Sequence, residues 1–176
     1  MTGPPVAAEQ LDALYGAAYE ELRRLASAVR RSDPGSTLSP TTLVNEAWLK
    51  LSASPPRTLA SKLHFKRIAA RAMRQVLVEA ARRRTAAKRG GGQVALVTFD
   101  EGLDAAEVQA DDVIALHDAL DALAVQEPRL AGMVECRFFG GLSAAETAEV
   151  IGVSEATVLR DWRAARAWLA REIRRT

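Results

Sequence analysis

Apolar residues recur at helical spacing in blocks separated by Pro, Gly and Ser, and each block predicts one amphipathic helix. From about Gln10 to Arg31, the positions Leu11, Leu14, Ala18, Leu22 and Leu25 share a face, with charges on the other side. Asp33-Pro34-Gly35 breaks that pattern. Ser39-Pro40 then opens a second helix to about Leu51, with Leu43, Ala47 and Leu51 inward. After the Pro-rich stretch Ser52–Thr58, a long helix is expected from about Ala60 to Arg84 or slightly beyond, with Phe65, Ile68, Ala69, Ala72, Val76 and Ala80 as its apolar stripe. Gly90-Gly91-Gly92 ends it. Residues 93–110 carry no helical period and one short alternation, Gln93–Phe99, so they read as a linker. Order resumes at Asp111-Asp112, with Ile114, Leu116, Leu120 and Leu123 on one face, and Pro128 opens a further helix to Phe139 that Gly140-Gly141 stops.

The last block, Ser143–Ile173, reads as two helices joined by a tight turn. Ser143 and Glu146 have the spacing of a capping box, Gly152 can adopt the left-handed conformation that ends a helix, and Ser154 can cap the next one. This is a helix-turn-helix pattern. Stepping about 100° per residue from Val158 groups Trp162, Ala165 and Leu169 within roughly 40° of it, an inward stripe. Ala156, Arg160, Arg163, Arg171 and Arg174 fall on the opposite side with Leu159 on the flank. A helix presenting guanidinium groups away from its core suits the major groove, where Arg pairs bidentately with guanine or with phosphate.

Composition narrows the class. With 176 residues and 48% apolar content the chain can bury a core. No apolar run approaches the roughly 18 residues of a membrane span, and MTGPPVAAEQ lacks a signal-peptide pattern, so a cytoplasmic location is expected. One cysteine allows no internal disulfide, and His64 and His117 are too far apart for zinc-type spacing. Neither a cofactor nor a metal is implied. A helical hydrolase or nuclease is disfavoured too, because no cluster of carboxylates, His or Cys stands beside a basic segment.

The formal charge of +2 conceals segregation. Residues 1–89 carry 16 Lys/Arg against 7 Asp/Glu, residues 90–128 carry none against 9, and residues 129–176 carry 8 against 6. Between residues 57 and 89 there are 11 cations against the single Glu79. A merely solvated face would mix signs, so this helix is expected to meet nucleic acid, with Arg67, Arg71 and Arg74 together on its outer side and Gln75 beside them. The charge blocks also motivate the hypothesis that the acidic middle shields the basic faces in the free protein.

Taken in order, several segments resemble one family across nearly the whole chain. They are ELRRLA; Leu38-Ser39-Pro40-Thr41-Thr42-Leu43-Val44-Asn45-Glu46-Ala47; Ala69-Ala70-Arg71-Ala72-Met73-Arg74; Ala81-Arg82-Arg83-Arg84; Ala87-Lys88-Arg89-Gly90; Glu127-Pro128-Arg129-Leu130; Arg137-Phe138-Phe139-Gly140-Gly141-Leu142-Ser143; and Thr157-Val158 with Arg160-Asp161-Trp162. The sequence is similar to sigma factors of the sigma-70 family, of the extracytoplasmic-function (ECF) type, carrying only their second and fourth conserved regions. The fold this implies is all-α, in two small helical domains. Residues 1–89 correspond to region 2, residues 90–110 to a flexible acidic linker, and residues 111–176 to the helix-turn-helix region 4.

The resemblance implies that no reaction is catalysed and that the partners are core RNA polymerase, promoter DNA and an anti-sigma factor, with no membrane contact. Asn45, Glu46, Trp48 and Leu49 would dock on the β′ clamp helices, and region 4 would meet the β flap. Ser61 and Lys62 would lie in the loop that receives a flipped base, with Arg71, Arg74 and Gln75 facing the −10 element. Leu159, Arg160 and Arg163 would reach −35 base edges, with Thr157 and Arg166 on phosphates. There are departures from the pattern. Leu59 stands where Trp is common, Ser61 and Lys62 where Asn and Arg are usual, and Leu159 where Lys is usual. A second reading is a regulator that binds DNA through the helix-turn-helix alone, without polymerase.

Overall fold

The computed structural model describes residues 8–31, 38–56, 58–59, 61–87 and 110–175, and among these the secondary structure is helical throughout, with no strand. Its helices are α1 (Ala8–Arg31), α2 (Pro40–Ala53), α3 (Lys62–Ala87), α4 (Ala110–Gln126), α5 (Pro128–Val134), α6 (Ala144–Ile151) and α7 (Glu155–Ile173). The all-α class is as expected. The break at Asp33-Pro34-Gly35, the triple glycine and linker positions 90–109 lie outside the described residues.

Helix starts follow the local chemistry. Ser39 Oγ accepts the Thr42 amide at 3.0 Å, with Pro40 in the first turn of α2. The Ser143–Glu146 box closes in both directions, at 3.1 Å from the Glu146 amide to Ser143 Oγ and 2.8 Å from the Ser143 amide to the Glu146 carboxylate. Gly152 takes φ 77°, the left-handed conformation that glycine adopts without the cost a Cβ would bring, and Ser154 Oγ accepts the Thr157 amide at 3.2 Å. The helix expected to run from Pro128 to Phe139 changes pitch instead. Over Glu135–Phe139 it widens into a π-type segment, where the Gly140 amide reaches back to the Glu135 carbonyl at 3.0 Å.

The N-terminal core is built from Leu11, Ala18, Leu22 and Leu25 of α1, Leu43, Val44, Ala47 and Leu51 of α2, and Phe65, Ala69, Ala72 and Val76 of α3. In the C-terminal half, Leu116, Leu120 and Leu123 of α4 and Met133 and Val134 of α5 are buried with Val158, Trp162, Ala165, Leu169 and Ile173 of α7. The two sets join. Helix α3 carries a second buried stripe, Lys66, Ala70, Met73, Arg74, Leu77 and Ala81, and it packs on α4, the π segment and α6 as well as on α1 and α2. Apolar burial is therefore continuous from one half to the other.

Candidate nucleic-acid and protein interfaces

On α7 the inward stripe and outward arginines separate as the periodicity requires. Val158, Trp162, Ala165 and Leu169 are buried, while Ala156, Arg160, Arg163, Arg171 and Arg174 are exposed and Leu159 keeps 41% of its surface. The helix is held in its angle by two contacts, one from α5 and one from the π segment that follows it. Arg129 Nη1 lies 2.7 Å from the buried Asp161 carboxylate, and the Arg137 guanidinium sits 4.6 Å over the Trp162 ring. Arg160 Nε also lies 3.2 Å from Asp161 Oδ1, which bends this head group along its own helix. Thr157 is half-buried at the cap, with its hydroxyl 2.9 Å from Ser154 Oγ, and Arg166 is half-buried one turn below Arg163.

On α2, Asn45 and Glu46 are exposed and Leu49 is 59% exposed. Trp48 is half-buried because Tyr15 of α1 stacks on it at 4.4 Å between centroids, and the Tyr15 hydroxyl donates to Asn45 Oδ1 at 2.9 Å. Tyr19 meets the Tyr15 ring edge-on at 5.5 Å. The aromatic group thus fixes Asn45 and Trp48 from below, leaving Glu46 and Leu49 as the projecting members. Burial beside Tyr19 raises the Tyr15 hydroxyl above the usual tyrosine value.

At the start of α3, Ser61 Oγ accepts the His64 amide at 3.1 Å, so this side chain caps the helix. Lys62 Nζ lies 2.6 Å from Glu21 of α1, and the buried Lys66 reaches the same carboxylate at 2.9 Å and Glu146 of α6 at 3.5 Å. Hydrogen bonds first from Lys62 and then from Lys66 hold the Glu21 carboxyl down at about 2. Further along, Arg71 and Gln75 are exposed.

A family model for the ECF sigma factor matches residues 3–175. The chain belongs to the ECF sigma factor family. Members of that family are DNA-binding regulators of transcription initiation rather than enzymes, and this one is a sigma factor in that sense. Neither the curated proteins nor the solved structures contain a match to it. Among the described residues no helix is long and apolar enough to cross a membrane, and no three His, Cys, Asp or Glu side chains are grouped to hold a metal ion.

The expectation that Arg67, Arg71 and Arg74 share the outer side of α3 needs correction for two of the three. In this sigma factor Arg67 is half-buried, its guanidinium beside Gly132 of α5. Arg74 is only 6% exposed. Its guanidinium pairs with Glu135 and with Asp121 Oδ1 at 2.6 Å, and donates to the His117 carbonyl at 2.9 Å. The reason is the second stripe. Small residues at 70 and 81 let α4 and the π segment approach the face that hydropathy alone assigns to solvent. Glu21, Arg129, Arg137 and Asp161 stand in the family segments without a role that local sequence assigns, and Lys66 and Tyr15 carry no local signal of their own. The i, i+4, i+7 repeat of Ala70, Arg74 and Leu77 was the available signal for the stripe, but alanine contributes too little hydropathy to mark it.

Proposed function

We propose that this ECF sigma factor binds core RNA polymerase and directs promoter recognition and the start of transcription, in the cytoplasm where polymerase works. The observation that carries this reading is the outward row of Arg160 and Arg163 on a capped helix whose angle is set by Asp161 and Trp162. Guanidinium groups held on a rigid helix can make bidentate contacts with guanine edges, and a side chain on a mobile segment would lose much of that discrimination to ordering entropy. In this reading Leu159, Arg160 and Arg163 meet −35 base edges, while Thr157 and Arg166 contact phosphates. Glu46 and Leu49, with Asn45 and Trp48 braced behind them by Tyr15, form the polymerase-facing patch on the β′ clamp helices. Residues 1–89 and 111–176 serve as the −10 and −35 domains, the latter reaching the β flap, and residues 90–110 tether them. Ser61, Lys62, Arg71 and Gln75 form the −10 surface, with Arg74 held inward against α4 rather than on it, and an anti-sigma factor would compete for these faces.

Run-off transcription with core polymerase on genomic template fragments tests the proposal. Discrete promoter-dependent products absent from core alone are expected. Products indistinguishable from those of core alone would reject it. A gel shift of the same fragments, with and without core, separates this role from that of a regulator binding DNA unaided, which needs no polymerase.

A further inference from the structure

Arg160 and Arg163 both leave α7 on its exposed side, yet they are held differently. Arg160 keeps 74% of its side chain exposed, while its Nε donates at 3.2 Å to Oδ1 of Asp161, a side chain only 11% exposed. Consecutive helical side chains diverge by about 100° and do not ordinarily meet. The contact forms because the long Arg160 stem curls back over its neighbour. Arg129 of α5 lies 2.7 Å from the other carboxylate oxygen, Oδ2, so each oxygen faces its own guanidinium and the carboxylate is oriented from outside α7. Among the described residues Arg163 is exposed and has no such carboxylate partner.

We propose that Asp161 is a positioning residue for base reading: it engages Arg160 through Nε and leaves the Nη1 and Nη2 edge to meet a guanine. This rests on the proposed placement of α7 at the −35 element. Three effects act together. With Nε occupied, the two terminal nitrogens are the donors left to face O6 and N7 side by side. A mobile arginine loses rotamer freedom only where it finds the right base, which reduces its gain there, whereas a side chain already ordered by Asp161 keeps that gain. The carboxylate also stands beside the guanidinium and repels a phosphate, while a guanine edge carries no net charge. Asp161 therefore turns a general cation into a reader of one base pair.

The test uses a promoter recovered by the genomic run-off, rebuilt with each −35 base pair varied in turn and transcribed by core polymerase with the full chain. Arg160→Ala marks the base pair that Arg160 reads. At that pair, and at no other, Asp161→Asn should lower the preference for guanine about two- to tenfold, the factor that ordering one long side chain is worth. In an Arg160→Ala background the same change should lower it no further. Arg129→Ala loosens α5 from α7 but keeps Asp161 beside Arg160, so it should leave the preference at this pair as in wild type. A loss spread over all −35 pairs, a loss that persists without Arg160, or an equal loss in Arg129→Ala would overturn the inference and make Asp161 a support of the helix alone. Because a buried Asp161 variant can misfold, the wild type is measured as well. Nitrogen relaxation of the arginine Nε–H groups in the free protein should show Arg160 more ordered than Arg163 on the picosecond to nanosecond scale. Equal mobility of the two would also overturn it. The two ideas fail separately: no base pair altered in Arg160→Ala rejects the −35 reading and the inference with it, whereas an altered pair in Arg160→Ala with wild-type preference in a folded Asp161→Asn rejects the positioning role alone.

Discussion

The Arg129 guanidinium lies 2.7 Å from the Asp161 carboxylate, tying the first turn of α5 to the middle of α7 on the side opposite Arg163. Asp161 is buried and Arg129 is half exposed, so the carboxylate is the member whose loss the fold feels. Asp161→Ala should cost about 1.5–3 kcal/mol, the range for a charge-assisted contact, and lower the thermal midpoint. Arg129→Ala should cost less, because Arg160 Nε still lies 3.2 Å from the Asp161 carboxylate. A midpoint shift of less than a degree in both variants would show that α7 is angled by apolar packing alone.

Arg163→Ala removes an exposed guanidinium and touches no core contact. It should leave the melting curve unchanged while reducing discrimination at one −35 base pair by about 1–3 kcal/mol. Competition between promoter variants in run-off transcription reads this. Unaltered preference would take Arg163 off the base-reading face and leave it to phosphates.

Tyr15 supports the α2 patch from underneath. Tyr15→Phe keeps the stack on Trp48 and removes only the hydrogen bond to Asn45, a loss of about 0.5–1.5 kcal/mol. Tyr15→Ala also removes the ring pair, worth about 0.5–1.5 kcal/mol beyond its buried area. Affinity for core polymerase should fall slightly in the first and clearly in the second, by surface plasmon resonance. Wild-type affinity in Tyr15→Ala would mean that polymerase binds elsewhere on the domain.

Acid should loosen the interface around His117. Burial first, and then the Arg74 cation, depress its pKa below the ordinary histidine value, while Asp121 and Asp118 act against them and Arg82 with them. A depressed folded value means the neutral ring is favoured in the folded state. Stability is therefore intact above the unfolded pKa near 6.5 and is lost as pH falls through the lower folded value. Glu21, held at about 2, acts in the same direction at lower pH. Its contribution is present above the ordinary value of 4.5 and lost as pH falls toward 2. Thermal melts of wild type and His117→Gln between pH 7 and 5 should converge as pH falls. Parallel curves would remove His117 from the acid response.

Ser143→Ala breaks the cap that starts α6, with an expected cost of about 1 kcal/mol. Glu146→Gln should cost less at neutral pH, because the amide still accepts from the Ser143 backbone, but it removes the carboxylate facing Lys66. Far-UV circular dichroism melts of the two variants check the order. Greater loss from Glu146→Gln would place more weight on the Lys66 contact than on the cap.

Helix positions, caps and the outward set on α7 were legible in the sequence because they depend on neighbours within one or two turns. Ser143 with Glu146, Gly152 with Ser154, and Val158 with Trp162, Ala165 and Leu169 needed no partner from elsewhere. Pro128 marks the start of its helix in the sequence, yet the wide turn from Glu135 does not show there, since a single i+5 hydrogen bond leaves no mark on hydropathy. The charge blocks suggested that acidic segments meet basic ones, but not which carboxylates or which arginine.

What the sequence by itself determined is a chain of capped amphipathic helices with cations concentrated on two of them, and with it the family. Only the tertiary structure decided that Arg74 faces inward. Its carboxylate partners stand 47 and 61 positions along the chain, and the alanines beside it matter only once another helix lies against them. Periodicity divides one helix into an apolar side and the rest. Whether the rest meets water, DNA or a second helix depends on distant segments that no local pattern contains.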